Sequence, residues 1–432
     1  MTSDLRKIVV SPAVNAPDPF PGFGGFCGWP RICRLRDGTL FVAFSAGYWH
    51  ASWVNPRPEL PGHAEYMESQ FEGGGTWEAP TGGRILWTRS RDDGATWSRP
   101  RVLADVPDAY APGALFQHGD GTLYMGALIQ TGWYWAGRLP SDPVEFLRRM
   151  DRTFPEQIAV FRSRDLGESW EEVGRTSGPF LTRLEHPCSL SEASDGGLWM
   201  LVDGHAVPGA PETRWVMALL HSDDGGATWE TWSIFGDPER DMEEGHLARL
   251  PDGRLATASR PWGLWATSAD DGRTWSAPRP LLDLPVPEGR PHPNAVKKGD
   301  LLVLSDGTVV LITCSGPGGN GQVLYSRDCG ETWVTPAADR GFQADPLAYY
   351  PSACVLPDDS VFMVGDHQGF PNRFGPFGAE VVACRFRILD EEEGEGVEVL
   401  PIAGDLHEPG GGGGWSEGTG DAGAAESADK SL

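Results

Sequence analysis

The chain has 432 residues, with 35 Lys and Arg against 61 Asp and Glu, for a formal charge of −26. That balance excludes a polyphosphate-binding surface and disfavours adsorption to an anionic membrane, because both need dense cationic patches. The length allows a large core, while 57 Gly, 37 Pro and 18 Trp point to many short strands joined by tight turns.

At the start, Met1 to Ala13 lacks an apolar run of signal-peptide length, and nowhere do eighteen apolar residues follow one another. Seven cysteines without a regular spacing read as reduced core thiols. The expectation is a soluble, intracellular protein, with secretion left open, no nucleic-acid or membrane partner, no cofactor, and an oligomeric state the sequence does not fix.

Two repeats then organise the chain. The first is a strand, an Asp-Gly type turn and a second strand: RICRLRDGTLFVAFSA from Arg31, GALFQHGDGTLYMGAL from Gly113, CSLSEASDGGLWMLVD from Cys188, HLARLPDGRLATASR from His246, NAVKKGDLLVLSDGTVVLITC from Asn294 and SACVLPDDSVFMVGD from Ser352. The second is an eight-residue box: Ser90–Trp97, Ser163–Trp170, Ser222–Trp229, Ser268–Trp275 and Ser326–Trp333. Its Asp can accept backbone N–H bonds inside a hairpin loop, its Gly supplies positive φ and its Trp packs under the turn, so the box is scaffold.

Six hairpins and five boxes predict an all-β fold, a six-bladed β-propeller over residues 1–407. The N-terminal strand around Ile8–Val10 is expected to close the last blade by pairing with Val381–Leu389. Insertions at 48–83 and 132–157 interrupt the pattern, the second with a short helix over Ser141–Phe154, and the Gly-rich acidic tail 408–432 is too polar to order itself.

In such a blade the strand-one starts and strand-two ends share one mouth, opposite the turns. The residues just before strand one are Trp29, Ala111, His186, Glu244, His292 and Tyr350; two positions on come Arg31, Gly113, Cys188, His246, Asn294 and Ser352. Strand-two ends add His205, Arg260, His367 and Arg373, and the first insertion adds His50, His63, Glu65 and Glu68. Histidines, carboxylates and arginines converging on one rim suit acid–base chemistry on a polar substrate.

The boxes, the strand start at Arg31, EGHLARLPDG from Glu244, Arg260 and YPSACVLPD from Tyr350 resemble the sialidase (neuraminidase) superfamily with its BNR repeats, over roughly residues 5 to 405. The resemblance implies a Tyr nucleophile, Tyr350, polarised by Glu244, which lies eight residues before its turn Asp just as Tyr350 does. It also implies that Arg31 and Arg260 clamp a substrate carboxylate. The chain departs from the family in three places: the family's Arg-Ile-Pro reads Arg-Ile-Cys at Arg31 and sits closer to its turn, CSGPGGNGQVLYSRD offers no arginine before the fifth box, and Tyr48–Gly83 contains no Asp to serve as acid/base, leaving Glu65, Glu68 or His63.

Three readings follow. The first is an exo-acting glycoside hydrolase on a terminal acidic sugar, using Tyr350, Glu244, Glu65 or Glu68 and the arginines. The second is a uronate lyase in which His186 or His292, Tyr350 and Arg260 carry a β-elimination. The third is a glycan-binding propeller without turnover, its aromatics including Trp29. A metal version would rest on His186, His205, His246 and His292, but no metal-ligand spacing supports it, and none is assigned.

Overall fold

Strand-two segments such as LFVAFSAG and LYMGALI carry apolar residues on both faces, the pattern of strands packed on either side. The computed structural model describes residues 7–12, 25–47, 84–104, 109–129, 157–180, 183–205, 214–282, 286, 296, 298–315, 320–336, 349–372, 375–390, 392 and 394–403, and among these there is no helix. The expected helix at Ser141–Phe154, most of both insertions and the tail lie outside the described residues.

After β1 (Lys7–Val10), a first run of strands comprises β2 (Phe26–Arg34), β3 (Leu40–Gly47), β4 (Arg84–Ser90) and β5 (Arg101–Ala104). The second sheet is β6 (Ala109–Gln117), β7 (Leu123–Ile129), β8 (Gln157–Ser163) and β9 (Glu171–Thr176). The third is β10 (Arg183–Glu192), β11 (Leu198–His205), β12 (Trp215–Ser222) and β13 (Glu230–Phe235). The fourth is β14 (Met242–Arg249), β15 (Leu255–Pro261), β16 (Leu264–Ser268) and β17 (Arg279–Pro280). The fifth, β18 (Asp300–Val303), β19 (Val309–Ser315) and β20 (Asn320–Ser326), is extended by an antiparallel bridge between Tyr325 and Val334. The last run is β21 (Tyr349–Val355), β22 (Val361–Asn372), β23 (Gly375–Ile388) and β24 (Val397–Leu400). It joins the first through a single parallel bridge, Phe26 to Ala379.

Each sheet is an antiparallel meander, and the inner strands β2, β6, β10, β14, β18 and β21 neighbour one another in that order, with β21 returning to β2. Six apolar cores lie between consecutive sheets; Phe41 and Trp87 of the first run meet Met125 and Phe161 of the second, and Val42 and Phe44 meet Phe362 and Val364 of the last. Burial fades outward: β3, β7 and β12 are buried throughout, whereas β9 and β13 are largely exposed.

Closure uses both ends of the chain. β1 pairs antiparallel with β23 through Lys7–Ala383 and Ile8–Val382, and β24 pairs with the later part of β23, so the outer edge of the last run is shared between the termini. The Lys7 ammonium, 3% exposed, donates to the carbonyls of Ala95 and Ala403 and ties the first box to the C-terminal segment.

Six inner hairpins repeat one turn. In each, a backbone N–H at the turn start reaches the carbonyl four residues on, as Leu35 does to Thr39 at 2.8 Å, and an Asp carboxylate takes the N–H two residues later, as Asp37 does from Thr39 at 3.0 Å. The five eight-residue turns are equally uniform: Asp92 accepts from the Ser90 hydroxyl and from the N–H and hydroxyl of Thr96, and the same pattern recurs around Asp165, Asp224, Asp270 and Asp328.

The glycine of that turn does more than supply positive φ. A Cβ on Gly167 (φ +87°) would sit 2.3 Å from Phe41 in the first run, and one on Gly330 (φ +85°) would sit 2.3 Å from Trp265 in the fourth sheet. Gly94 and Gly272 meet Phe362 and Leu219 in the same way, so these turns rest on a large side chain of the sheet before them.

Candidate active site

At the opposite end of the inner strands the ladder is bulged at one level in four sheets, between Gly28 and Arg31, Leu184 and Pro187, Glu243 and His246, and Tyr349 and Ser352. A bulge places two residues against one and re-aims a side chain. In three of the four the first bulged residue takes left-handed φ without being glycine: Trp29 at 51°, Glu244 at 45° and Tyr350 at 53°. Such a conformation costs about 1–2 kcal/mol per residue and clusters at functional positions.

Buried carboxylates hold these bulges. Asp203, wholly buried at the end of β11, accepts the N–H of His186 at 3.0 Å in its own sheet and that of Glu244 at 2.9 Å in the next. Asp366, at the corresponding point of β22, accepts the N–H of Trp29 at 3.3 Å. Asp300 accepts the Ser352 hydroxyl and the Ala353 N–H, each at 3.0 Å. In each case a carboxylate of one sheet fixes the inner strand of the following one.

Around Glu244 the structure gathers four other charged or titratable groups. Glu244 is 3% exposed; its Oε2 accepts from Arg260 Nη1 at 3.0 Å, and its Oε1 lies 3.7 Å from His186 Nε2. The other His186 nitrogen, Nδ1, is 3.9 Å from Asp203. Arg31 is buried, donates to the Pro351 carbonyl at 3.5 Å, and feels the carboxylates of Asp300, Glu244 and Asp366, drawn from three other sheets. Burial lowers the Arg31 pKa against the pull of those acids.

Lys298, immediately ahead of β18, is also buried; burial and the Arg31 charge push its pKa down to about 8, against Glu244, Cys188 and Asp203. Burial likewise raises Asp203 and the Cys188 thiol, whose S–H donates to Asp203 Oδ1 at 3.3 Å. His246 is buried and accepts the Gly299 N–H at Nε2, 2.9 Å, so its proton sits on Nδ1; burial, Arg31 and Lys298 hold its pKa well below the imidazole range.

The remaining candidates occupy other surroundings. Tyr350 is half-buried, packs edge-on against Trp29 with ring centroids 6.4 Å apart, and is followed by the Pro351 carbonyl that meets Arg31. Trp29 itself is 7% exposed and tilted against Phe26 with ring centroids 4.7 Å apart, so it is mostly occupied by packing. His205 packs against Trp215 at 4.0 Å, and the buried His367 meets Glu380 at 3.2 Å. His292, Asn294, Arg373, Glu65 and Glu68 lie outside the described residues.

Sequence reasoning did not single out Lys298, Asp203, Asp300 or Asp366. For two of them a signal exists: LWMLVD and VFMVGD each end an otherwise apolar strand on an acid. Among the described residues there is no group of three or more His, Cys, Asp or Glu arranged to hold a metal ion, and none of the six described cysteines is in a disulfide. No helix there is long and apolar enough to cross a membrane.

No family model matches the chain, and no curated protein matches it. Solved structures do. A protein of unknown function from Dyadobacter fermentans is similar with a TM-score of 0.58 at 16% identity, over 88% of this chain and 97% of that one. A mutant of the NanB sialidase from Streptococcus pneumoniae gives 0.56 at 15% identity, over 84% and 68%. The alpha-L-arabinanase of Penicillium chrysogenum, complexed with arabinobiose, gives 0.54 at 16% identity, over 91% and 99%. The likeness is one of fold, that of an all-β propeller.

Proposed function

We propose that the chain is a six-bladed propeller over residues 1–407, its Asp-box hairpins belonging to the BNR type, and that it works as a sialidase-like, exo-acting glycoside hydrolase on a terminal acidic sugar. The observation that carries this reading is Glu244: a buried carboxylate in a strained conformation, bonded to Arg260 and sharing its surroundings with Arg31. In this reading Tyr350 Oη bonds to the anomeric carbon as the glycosidic bond breaks, and Glu244 receives the phenolic proton. Glu65 or Glu68 protonates the leaving oxygen and then activates the water that releases the sugar. Arg31 and Arg260 hold the carboxylate, with Asn294, His246, His292, His367 and Arg373 around the sugar.

The test is turnover of a fluorogenic 4-methylumbelliferyl α-sialoside by wild type, Tyr350→Phe and Glu244→Gln. Both variants are expected to lose activity; equal turnover by wild type and Tyr350→Phe removes Tyr350 as nucleophile.

His186 supports a second reading, a uronate lyase. Its ring stands between two carboxylates, Glu244 at 3.7 Å and Asp203 at 3.9 Å, a setting that suits an imidazole taking up a proton during the reaction. Ultraviolet absorbance from an unsaturated uronate product, lost in His186→Ala, is the expected signature; its absence with a range of uronate polymers removes this reading.

A further inference from the structure

This inference rests on the hydrolase reading, in which Glu244 receives the Tyr350 proton, and concerns where that proton goes next. We propose that Glu244 passes it from Oε1 to His186 Nε2, and that Asp203 is the positioning residue that holds Glu244 and His186 together for the transfer. His186 then acts through Glu244 and not on the sugar, unlike a lyase base.

The two oxygens of Glu244 have different neighbours. Oε2 accepts from Arg260 Nη1 at 3.0 Å, so a proton arriving from the phenol is left to Oε1. Oε1 lies 3.7 Å from His186 Nε2, a small side-chain rotation short of a hydrogen bond. A proton kept on Glu244 would remove a negative charge from beside the largely buried Arg260 guanidinium, with the cost that breaking a buried ion pair carries. Passed on to His186, it leaves the charges alternating from group to group: Arg260 positive, Glu244 negative, His186 positive, Asp203 negative.

Asp203 sets this geometry. Its Oδ1 accepts the His186 N–H at 3.0 Å and its Oδ2 the Glu244 N–H at 2.9 Å, so one wholly buried carboxylate fixes both residues, each at a bulge of its inner strand. Oδ1 also lies 3.9 Å from His186 Nδ1, which suits the Nδ1–H tautomer and leaves Nε2 to accept. Other groups meet the unit from other strands: Lys298 acts by charge on Glu244 and Asp203, Arg31 acts on Glu244, and the Cys188 thiol donates to Asp203 at 3.3 Å. Burial raises Asp203 to about 6, so its charge is present above that pH and lost below it.

The transfer balances within the hydrolase cycle. As Tyr350 Oη bonds to the anomeric carbon and the glycosidic bond breaks, the phenolic O–H bond breaks, and its proton moves to Glu244 Oε1 and then to His186 Nε2. The leaving oxygen takes its own proton from the separate acid. When water displaces Tyr350 Oη from the sugar, the proton returns through Glu244 to the phenol. The exchange needs no proton from solvent, in keeping with the burial of Glu244 and His186.

The experiment is steady-state turnover of a fluorogenic α-sialoside and a fluorogenic β-glucuronide by wild type, His186→Gln and His186→Asn, from about pH 4 to 8, with thermal melting of each protein. Each amide keeps a polar group near one ring nitrogen but takes up no proton, and the second keeps the test open if the first does not fold. Both are expected to lower kcat roughly ten- to hundred-fold with KM nearly unchanged. Wild-type kcat should fall on the acid side, where an imidazole already protonated cannot receive the proton. In the variants that fall should move to lower pH, because only Glu244 is left to receive it. Wild-type turnover with the same kcat and pH profile in a folded variant overturns the relay and leaves the hydrolase. A variant that loses kcat in step with its folded fraction, its pH profile unmoved, also overturns the relay and assigns His186 to the fold. No wild-type turnover of either glycoside removes the hydrolase on these sugars and the relay with it.

Discussion

The two ends of the inner strands treat charge in opposite ways. At the turn end, Asp92, Asp165, Asp224, Asp270 and Asp328 stand near water, each meets a hydroxyl and a backbone N–H of its own loop, and each is held below the ordinary carboxylate range. At the bulged end, Asp203 and Asp300 are pushed up by burial, and Lys298 and Arg31 are pushed down by it. A carboxylate placed where water and local donors favour its charge stabilises the fold in that charged form; one placed where burial opposes its charge is held there by the N–H groups it accepts.

The sharpest way to break this division is a pair of substitutions with crossed effects. Tyr350→Phe removes one hydroxyl at the bulged end and should lower turnover about 10²–10⁴-fold, the scale of a lost proton-transfer or nucleophilic group, while the melting temperature stays near wild type. Gly167→Ala at the turn end should leave turnover per folded molecule unchanged. It should destabilise by about 2–4 kcal/mol, because its Cβ would meet Phe41 at 2.3 Å and its φ of +87° disfavours alanine. Urea unfolding with a parallel fluorogenic assay reads both; a Tyr350→Phe protein that unfolds early and turns over normally reverses the assignment of the two ends.

The turn end was legible in the sequence because its work is local. Ser90, Asp92, Gly94 and Thr96 bond to one another within seven residues, so the pattern survives in the letters and repeats five times. The pairing of Ile8–Val10 with β23 was legible too, from the count of boxes against hairpins. At the bulged end Trp29, His186, Glu244 and Tyr350 were expected just before their strands, whereas they lie within them, at bulges that interrupt the alternation. Their partners were not legible, since Asp203 acts on Glu244 across 41 residues and Arg31 reaches Pro351 across 320. Lys298 sits in NAVKKGD, where nothing distinguishes it from a solvated lysine until the ring folds around it.

Asp203→Asn probes the strained end by a smaller amount. One amide oxygen cannot replace two carboxylate oxygens toward His186 and Glu244, so about 1–3 kcal/mol should be lost. The pH dependence carries the sign. The folded-state pKa of Asp203 is raised to about 6, so the folded protein holds this proton more tightly than the unfolded chain, and the stability linked to it is present at low pH and lost as pH rises through about 6. The gap between wild type and Asp203→Asn should therefore be wider at pH 4 than at pH 7; a gap that widens toward pH 7 would mean the carboxylate is a stabilising charge like those at the turns.

Ser169→Ala is the mirror image and the smallest effect. The Ser169 hydroxyl and N–H hold Asp165 down at about 2, so its contribution is present above the ordinary carboxylate value and disappears as pH falls through about 2. The carboxylate is almost wholly exposed and solvent screens it, so removing the hydroxyl should cost only about 0.5 kcal/mol at neutral pH. Acid titration of unfolding should show the variant leaving the wild-type curve above pH 4 and rejoining it near pH 2. The two substitutions thus bend the stability profile in opposite directions, Asp203→Asn on the acid side and Ser169→Ala on the neutral side, because burial opposes one charge and local donors support the other.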